Sequence, residues 1–434
     1  NKQHQNFSHN LCLSLSFSVK VEMADTEDNE KTIAEDLVVT KYKMTGDIVN
    51  RVLKEVVGKC TVGASVREIC IHGDESLAEE TGKVFKREKD LKKGIAFPTC
   101  LSVNNCICHF SPLHSEPDYV LKHNDVVKIE MAAHIDGFIA VVGHTIVLGA
   151  SPDNKVTGRI ADVMLATHFA AEAALRLVKD GNASSTIKET VQKIAEEFQC
   201  KALDRMSHPM KQFKMNAEKT VVQNLGDTPK SEQDKFEFAT NKVYAMDIVI
   251  SSGEGVGREV DTRVSVYKKT EEIYQLKLKA SRNFYSEVTN KYGTMAFNLR
   301  NFEEEKKARL GVTECVNHKL VEPYPVLYER ANEVVGQFKF TALLMPNGAH
   351  RITGLPFDIE SFKSDLAISD PELKKILSSS ANPKSNKKKN KKEIAKAGKE
   401  MVDDADGKVE SGDSLEVGPS RNKEFNEIKM NHKK

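Results

Sequence analysis

Residues 125–148, DVVKIEMAAHIDGFIAVVGHTIVL, place Asp136-Gly137 between two apolar runs, which constrains the fold more than any other stretch of the chain. An Asp-Gly pair favours a two-residue turn whose backbone twist suits a β-hairpin, so the two runs pair as antiparallel strands. Such a turn also sets the register: Val141 faces Ala132, two residues from Glu130 and on the same face. The hairpin therefore carries one carboxylate, Glu130, beside an aliphatic Val141. A metal pocket built here would have oxygen on one wall only.

Helical and strand-like segments alternate around this hairpin. From Thr40 to Val57 the apolar residues Ile48, Val49, Val52, Leu53, Val56 and Val57 follow helical spacing. A second helix starts at Ser65, where Ser65 and Glu68 make a capping box, and residues 94–112 are strand-like. Beyond the hairpin, an alanine-rich helix runs from Arg159 to Lys179 and stops at Gly181; another, opened by a Thr186/Glu189 capping box, runs to Phe198. Strands are expected at 219–225 and 243–251, and a helix from about Glu271 to Tyr292. In the last folded piece, 308–353, the stretch VVGQFKFTALLM alternates apolar and polar residues, ends in the turn Pro346-Asn347-Gly348 and is expected to close the sheet. The order describes one α+β unit used twice, with both helix sets on one face of a mostly antiparallel sheet, although no sequence repeat accompanies it.

The chain of 434 residues is long enough to bury a large core without staples. Its eight cysteines (12, 60, 70, 100, 106, 108, 200 and 315) form no CxxC pair, as expected of reduced thiols. The pair Cys106/Cys108 beside His109 has the wrong spacing for structural zinc. SSGEGVG (251–257) lacks the Lys-Ser/Thr ending of a phosphate loop and is read as a flexible surface loop. LCLSLSFSV (11–19) resembles a signal-peptide core, but the residues before it are weakly basic and no small-residue cleavage site follows. MADTEDNE at Met23 reads as an acidic initiator segment, so residues 1–30 are taken as a disordered leader. No apolar run reaches the roughly 18 residues of a membrane helix, and no membrane partner is expected.

The 64 Lys and Arg nearly balance the 63 Asp and Glu, so charge acts locally. Residues 384–399 hold eight lysines against Glu393, a surplus of seven positive charges; 400–416 hold seven acids against Lys408, a surplus of six negative ones. With Phe425 as its one aromatic, the segment 379–434 buries too little apolar surface to offset ordering entropy and is expected to be disordered. Lys384, Lys387, Lys388, Lys389, Lys391 and Lys392 can follow a phosphate backbone by counterion release, serve as a nuclear or nucleolar address, or simply solvate the tail.

Several long motifs occur in one order: TIAEDLVVTKYKM (32–44), KKGIAFPTCLSVNNCICHFSPL (92–113), HIDGFIA (134–140), AEAALRLVK (171–179), VYAMDIVISSGEG (243–255), FEEEKKARLGVTEC (302–315), PVLYE (325–329) and QFKFTALLMPNG (337–348). Over about residues 30–380 the chain resembles the proliferation-associated, ErbB-receptor-binding proteins, non-enzymatic relatives of type II methionine aminopeptidases. The resemblance implies one pita-bread domain, 31–378, with a pseudo-symmetric curved sheet flanked by helices around a central pocket.

In the aminopeptidases that pocket binds two divalent metals through two Asp, one His and two Glu, because neighbouring cations need bridging carboxylates. By resemblance, Glu130 stands at the first Asp position, Val141 at the bridging Asp, His208 at the His ligand, Asp247 at the first Glu and Lys339 at the last bridging Glu. His109 matches the substrate-side histidine, and Asn216 stands where a second one is found. An ammonium at 339 and an aliphatic at 141 oppose a di-metal site. The remaining polar residues read as an ion-paired core left after metal loss, or as a single weak metal site at Glu130, His208 and Asp247.

The resemblance further implies no catalysis and no cofactor, binding to RNA and to ribosomal and pre-ribosomal particles, and growth regulation through ribosome biogenesis, translation and transcription. Nuclear and signalling protein partners, a monomer, and residence in cytoplasm, nucleus and nucleolus accompany that reading. Nucleolar targeting is attributed to the basic tail and to Lys41-Tyr42-Lys43, by themselves three ordinary surface residues on or before the first helix. The family's LxxLL co-regulator motif is altered to LKKIL (373–377), with Ile376 at its fourth position. A working methionine aminopeptidase, or a protein scaffold without RNA affinity, are the alternatives.

Overall fold

The computed structural model describes residues 31–203, 207–215 and 236–380. The basic tail lysines 384–392, Asn216, residues 1–30 and the strand expected at 219–225 lie outside the described residues. The chain begins with helices α1 (Asp36–Lys59) and α2 (Val66–Lys83), then strands β1 (Lys93–Val103), β2 (Cys106–Cys108), β3 (Val126–Ile135) and β4 (Phe138–Val147). A second set follows: β5 (Val156–Thr157), α3 (Gly158–Leu177), α4 (Ser184–Glu197), β6 (Lys201–Ala202), β7 (His208–Met210) and β8 (Lys242–Ser251). Next come β9 (Arg258–Glu259), β10 (Val266–Lys269), α5 (Lys279–Lys291), β11 (Ala296–Asn298), α6 (Glu305–Asn317), β12 (Val321–Pro323) and β13 (Leu327–Tyr328). The last elements are β14 (Val335–Met345), β15 (Gly348–Arg351), β16 (Phe362–Lys363) and α7 (Pro371–Ser378).

Eight strands form one antiparallel sheet in the order β1-β3-β4-β14-β8-β6, with β15 pairing β14 and β7 pairing β8. Asp136 and Gly137 adopt positive φ values of 54° and 75°, as a tight hairpin turn requires, and Ala132 pairs with Val141 as the two-residue turn predicts. Strand β14 does not close the sheet at an edge, as its sequence suggested. It lies at the centre, between β4 and β8, and joins the two halves. It is buried along almost its whole length, which suits a strand with neighbours on both sides.

Register separates the two faces. Met131, Val142, Phe340 and Met246 lie in one row across β3, β4, β14 and β8, and all are buried. On this face α1 and α2 pack over the first half through Val49, Val52, Ile69 and Leu77, and α3 and α4 over the second through Val163, Ala170, Ile194 and Phe198. Both helix sets thus cover one face, as expected, and each large apolar side chain buried there contributes about 1.5–3 kcal/mol of transfer free energy. The opposite face carries the charged residues of the pocket and, beside them, an apolar cluster around Ala132, Val141 and Ala245.

Side chains cap two of the helix starts, those of α2 and α7, while others answer to more distant contacts. Ser65 caps α2 by accepting from the Glu68 amide. The Thr186/Glu189 box does not operate: α4 begins earlier, with Ala183 as its N-cap, because Ser184 exchanges hydrogen bonds with Phe236. Helix α5 begins at Lys279, eight residues later than predicted, where the Glu314 carboxylate of α6 accepts from the amides of Lys277 and Leu278. The sequence reading does not anticipate α6. Lys41 and Tyr42 are not surface residues either: they lie inside α1, 7% and 3% exposed. Lys41 forms a 2.6 Å ion pair with Asp136 at the hairpin turn, and Tyr42 packs on Phe138; Lys43 alone of the three is not buried. In α7, Leu373 is 2% exposed and Ile376 and Leu377 pack on the α3 core, so LKKIL spends its apolar face on its own domain. The seven described cysteines are all free and buried. Among the described residues, no helix is long and apolar enough to cross a membrane.

Burial lowers the imidazoles of His134 and His144 from 6.5 to about 4. Between those values only the unfolded chain binds the protons, so this contribution is fully present above the unfolded pKa and is lost as pH falls. Stability is expected to fall from pH 6.5 towards pH 4, by about 2 kcal/mol per histidine at pH 5. Urea unfolding at pH 7 and pH 5 measures it, and His144→Asn is expected to shrink the difference between the two.

Candidate functional site

One cross-strand row holds the site. Cys100 of β1 faces Glu130 of β3, Glu130 faces Gly143 of β4, Gly143 faces Lys339 of β14, and Lys339 faces Asp247 of β8. The Lys339 ammonium lies 2.6 Å from Glu130 Oε1 and 3.5 Å from Asp247 Oδ2, and all three side chains are nearly buried. Gln337, two residues along the same face of β14, donates to Asp247 Oδ1 at 2.8 Å.

Lysine reaches Glu130 across an intervening strand because that strand has glycine at the crossing. A Cβ on Gly143 would meet the Lys339 Cβ at 2.7 Å. The sequence reading missed both Gly143 and Gln337. A glycine inside a strand pattern, a sign of close approach by other atoms, was the available signal for the first.

The next row runs through Ala132 and Val141 to Thr341, Ala245 and His208. Val141 is 2% exposed and joins an apolar cluster with Phe97, Ala132, Met210 and Ala245. Its backbone N–H donates to Thr341 Oγ1 at 2.8 Å, but its side chain has no lone pair to give. His208 sits on the short strand β7, one strand beyond Asp247. His109 follows β2 with a positive φ of 64°; its Nδ1 is 2.9 Å from the Pro325 carbonyl and its ring packs edge-on against Tyr324.

The donor set does not fit a pair of divalent cations. Between Glu130 and Asp247 the charge is already supplied by an ammonium, and the bridging position at 141 is a hydrocarbon. Nor do Glu130, His208 and Asp247 gather for a single ion: among the described residues, no group of three or more His, Cys, Asp and Glu is arranged to hold a metal.

SSGEGVG lies at the surface, with Glu254 exposed. It folds around the buried carboxylate of Glu329, which accepts from Ser251 Oγ at 3.0 Å, the Gly255 amide at 2.8 Å and the Arg330 amide at 2.9 Å. Burial alone would raise the Glu329 carboxyl, but these donors outweigh it and hold the group below its ordinary value. The loop does cradle an anion, and that anion is part of the chain.

Replacing Lys339 with Ala would leave two buried carboxylates in one row without their shared cation. The expected loss is about 3–5 kcal/mol of unfolding free energy, measured by urea titration at pH 7. Gly143→Ala is expected to cost about 1–3 kcal/mol by forcing Lys339 aside. A loss within error for Lys339→Ala would mean the ammonium does not hold the row together.

Comparison with known proteins places this geometry. Residues 40–287 match the model of metallopeptidase family M24. ErbB-3 binding protein 1 of Solanum tuberosum is 45% identical over 375 residues, covering 85% of this chain and 94% of that protein. Curved DNA-binding protein of Schizosaccharomyces pombe is 40% identical over 358 residues, covering 82% and 93%. Among solved structures, a thermophilic Arx1 superposes with a TM-score of 0.75 at 30% identity, covering 80% of this chain and all of that one. The central sheet with two helix pairs on one face is the pita-bread architecture. The chain belongs to metallopeptidase family M24, within the group whose members are named ErbB-3 binding protein 1 and proliferation-associated protein A.

Proposed function

We propose that this chain is a catalytically inactive M24-fold protein that binds RNA, in ribosomal and pre-ribosomal particles, and regulates growth through ribosome biogenesis, translation and transcription. The observation that carries the first half is Lys339: its ammonium lies where a hydrolytic pair of metals would need another anion. A pocket with that charge has nothing in the row to generate hydroxide. His109, Glu130, Val141, His208, Asn216, Asp247 and Lys339 are then a degenerate pocket, and no cofactor is required.

RNA binding rests on charge. The surplus of seven positive charges over 384–399 suits a phosphate backbone, with Lys384, Lys387, Lys388, Lys389, Lys391 and Lys392 as the contacts. The name of the S. pombe relative records DNA binding, which supports a polyanion as partner. In this reading the domain spans 31–378, the tail 379–434 engages the nucleic acid, and the protein is a monomer moving between cytoplasm, nucleus and nucleolus, where nuclear and signalling proteins also meet it. Within Lys41-Tyr42-Lys43, Lys41 and Tyr42 serve the fold, so Lys43 is the one available to a targeting receptor.

Metal analysis and peptide hydrolysis test the inactive pocket. Purified protein is expected to hold no stoichiometric Co, Mn or Fe and to release no Met from a Met-Ala-Ser peptide; two equivalents of metal with cleavage would restore the aminopeptidase. For the tail, deletion of 384–434 is expected to weaken RNA binding and flatten its salt dependence, by about 0.7 in the log–log slope for each single-strand phosphate that the lysines no longer neutralise. Unchanged binding by the truncated chain would place the RNA interface elsewhere, and no RNA binding by the intact chain would leave a protein scaffold.

A further inference from the structure

The segment from Phe362 to Asp370 crosses the outer surface of α3 and α4 as an extended strap pinned at both ends. At one end, Ser364 Oγ donates to Asp162 Oδ1 at 2.5 Å, and β16 pairs in parallel with β5. At the other, the Glu197 carboxylate accepts from the amides of Ser369 and Asp370 and from Ser369 Oγ, and Asp370 caps α7. Between the pins the chain alternates in exposure: Asp365 and Ala367 face solvent, while Leu366 and Ile368 are half-buried. Among the described residues, the backbone amides of Asp365, Ala367 and Ile368 and the carbonyls of 364–368 make no hydrogen bond. The chain bends at Asp365 and beyond β16 pairs with no strand, so its backbone groups are open to an added strand.

An apolar cleft of about 530 Å³ runs beside it. Its floor is Leu165, Phe169 and Phe198, the two phenylalanine rings stacked at 6.1 Å, and Ile359, 43% exposed, stands on its wall. Of the residues lining the cleft, the charged ones are Lys363 and Lys374, and no acid lines it. Neither lysine has a carboxylate within ion-pair distance among the described residues. Open backbone along one side selects for a peptide over an acyl chain, which has no amide to offer. The two ammonium groups select for acidic residues.

We propose that this strap binds an extended peptide of a partner protein by strand addition, with apolar side chains at alternate positions entering the cleft and acidic residues meeting Lys363 and Lys374. The main-chain bonds give affinity along Asp365–Ile368, and the cleft with its lysines gives selectivity.

Fluorescence polarisation with the full chain tests it. The probe is a fluorescein-labelled peptide that alternates phenylalanine and leucine with glutamate. Binding in the micromolar range is expected. It should weaken about tenfold in Lys363→Glu/Lys374→Glu, with the melting temperature unchanged, since two exposed attractive pairs become repulsive. A probe N-methylated on the strand-facing amides should lose about tenfold or more against the unaltered protein, which needs no protein variant to fold. Equal binding of the methylated probe, or of a lysine-for-glutamate probe, overturns the proposal. So does failure of the glutamate probe to bind, including the case in which oleate binds in its place.

Discussion

An ammonium held between two buried carboxylates organises this protein. Removing charged groups from water is costly, and the cost is offset only when opposite charges meet at close range with their remaining hydrogen bonds made. Glu130 and Asp247 belong to different halves of the sheet, on β3 and β8, and Lys339 reaches both from β14. The same strand that contributes the cation also joins the halves, so the electrostatic contact and the central strand pairing depend on each other. A one-residue slip of β14 would turn Lys339 towards the helices and Phe340 towards the carboxylates, which fixes the register at the centre of the sheet.

Gly143 shows how the backbone accommodates this. Strand β4 lies between the lysine and the glutamate, and any side chain at the crossing would stand in the way. The neighbouring position, Val141, packs into apolar surroundings that continue to Phe97 and Met210. The pocket is therefore divided row by row into a charged line and a hydrocarbon line. A divalent ion would need oxygen from both.

How much of this the sequence discloses depends on range. The β3–β4 hairpin is readable residue by residue because Asp136-Gly137 sets its pairing locally, and the Ala132–Val141 contact is found where the turn places it. The α1 stripe and the Ser65 cap are local for the same reason. The position of β14 is not, since its alternating pattern says that it is a strand but not which strands it lies between. The Thr186/Glu189 box fails because a neighbouring segment, through Phe236, starts α4 earlier, and the start of α5 is set by Glu314 from another helix. Lys41 and Tyr42 read as surface residues because nothing within α1 reveals that Asp136 and Phe138 lie against them. The identities of the pocket residues were legible through resemblance; their contacts required the fold.

Two binding geometries in this fold are filled by the chain's own side chains. The Lys339 ammonium supplies positive charge between the carboxylates, and the Glu329 carboxylate fills the donor cradle of the 251–257 loop. A tethered group is present at an effective concentration that no free ion matches, and it brings its counter-charge without the entropy of capture. Such sites are closed to exchange. The LKKIL helix follows the same rule, with Leu373 docked on its own core. Among the described residues, the strap beside α3 and α4 leaves backbone amides and carbonyls without hydrogen bonds, and an apolar cleft runs next to it. In the charged row and in the 251–257 loop, the interior thus supplies its own binding partners.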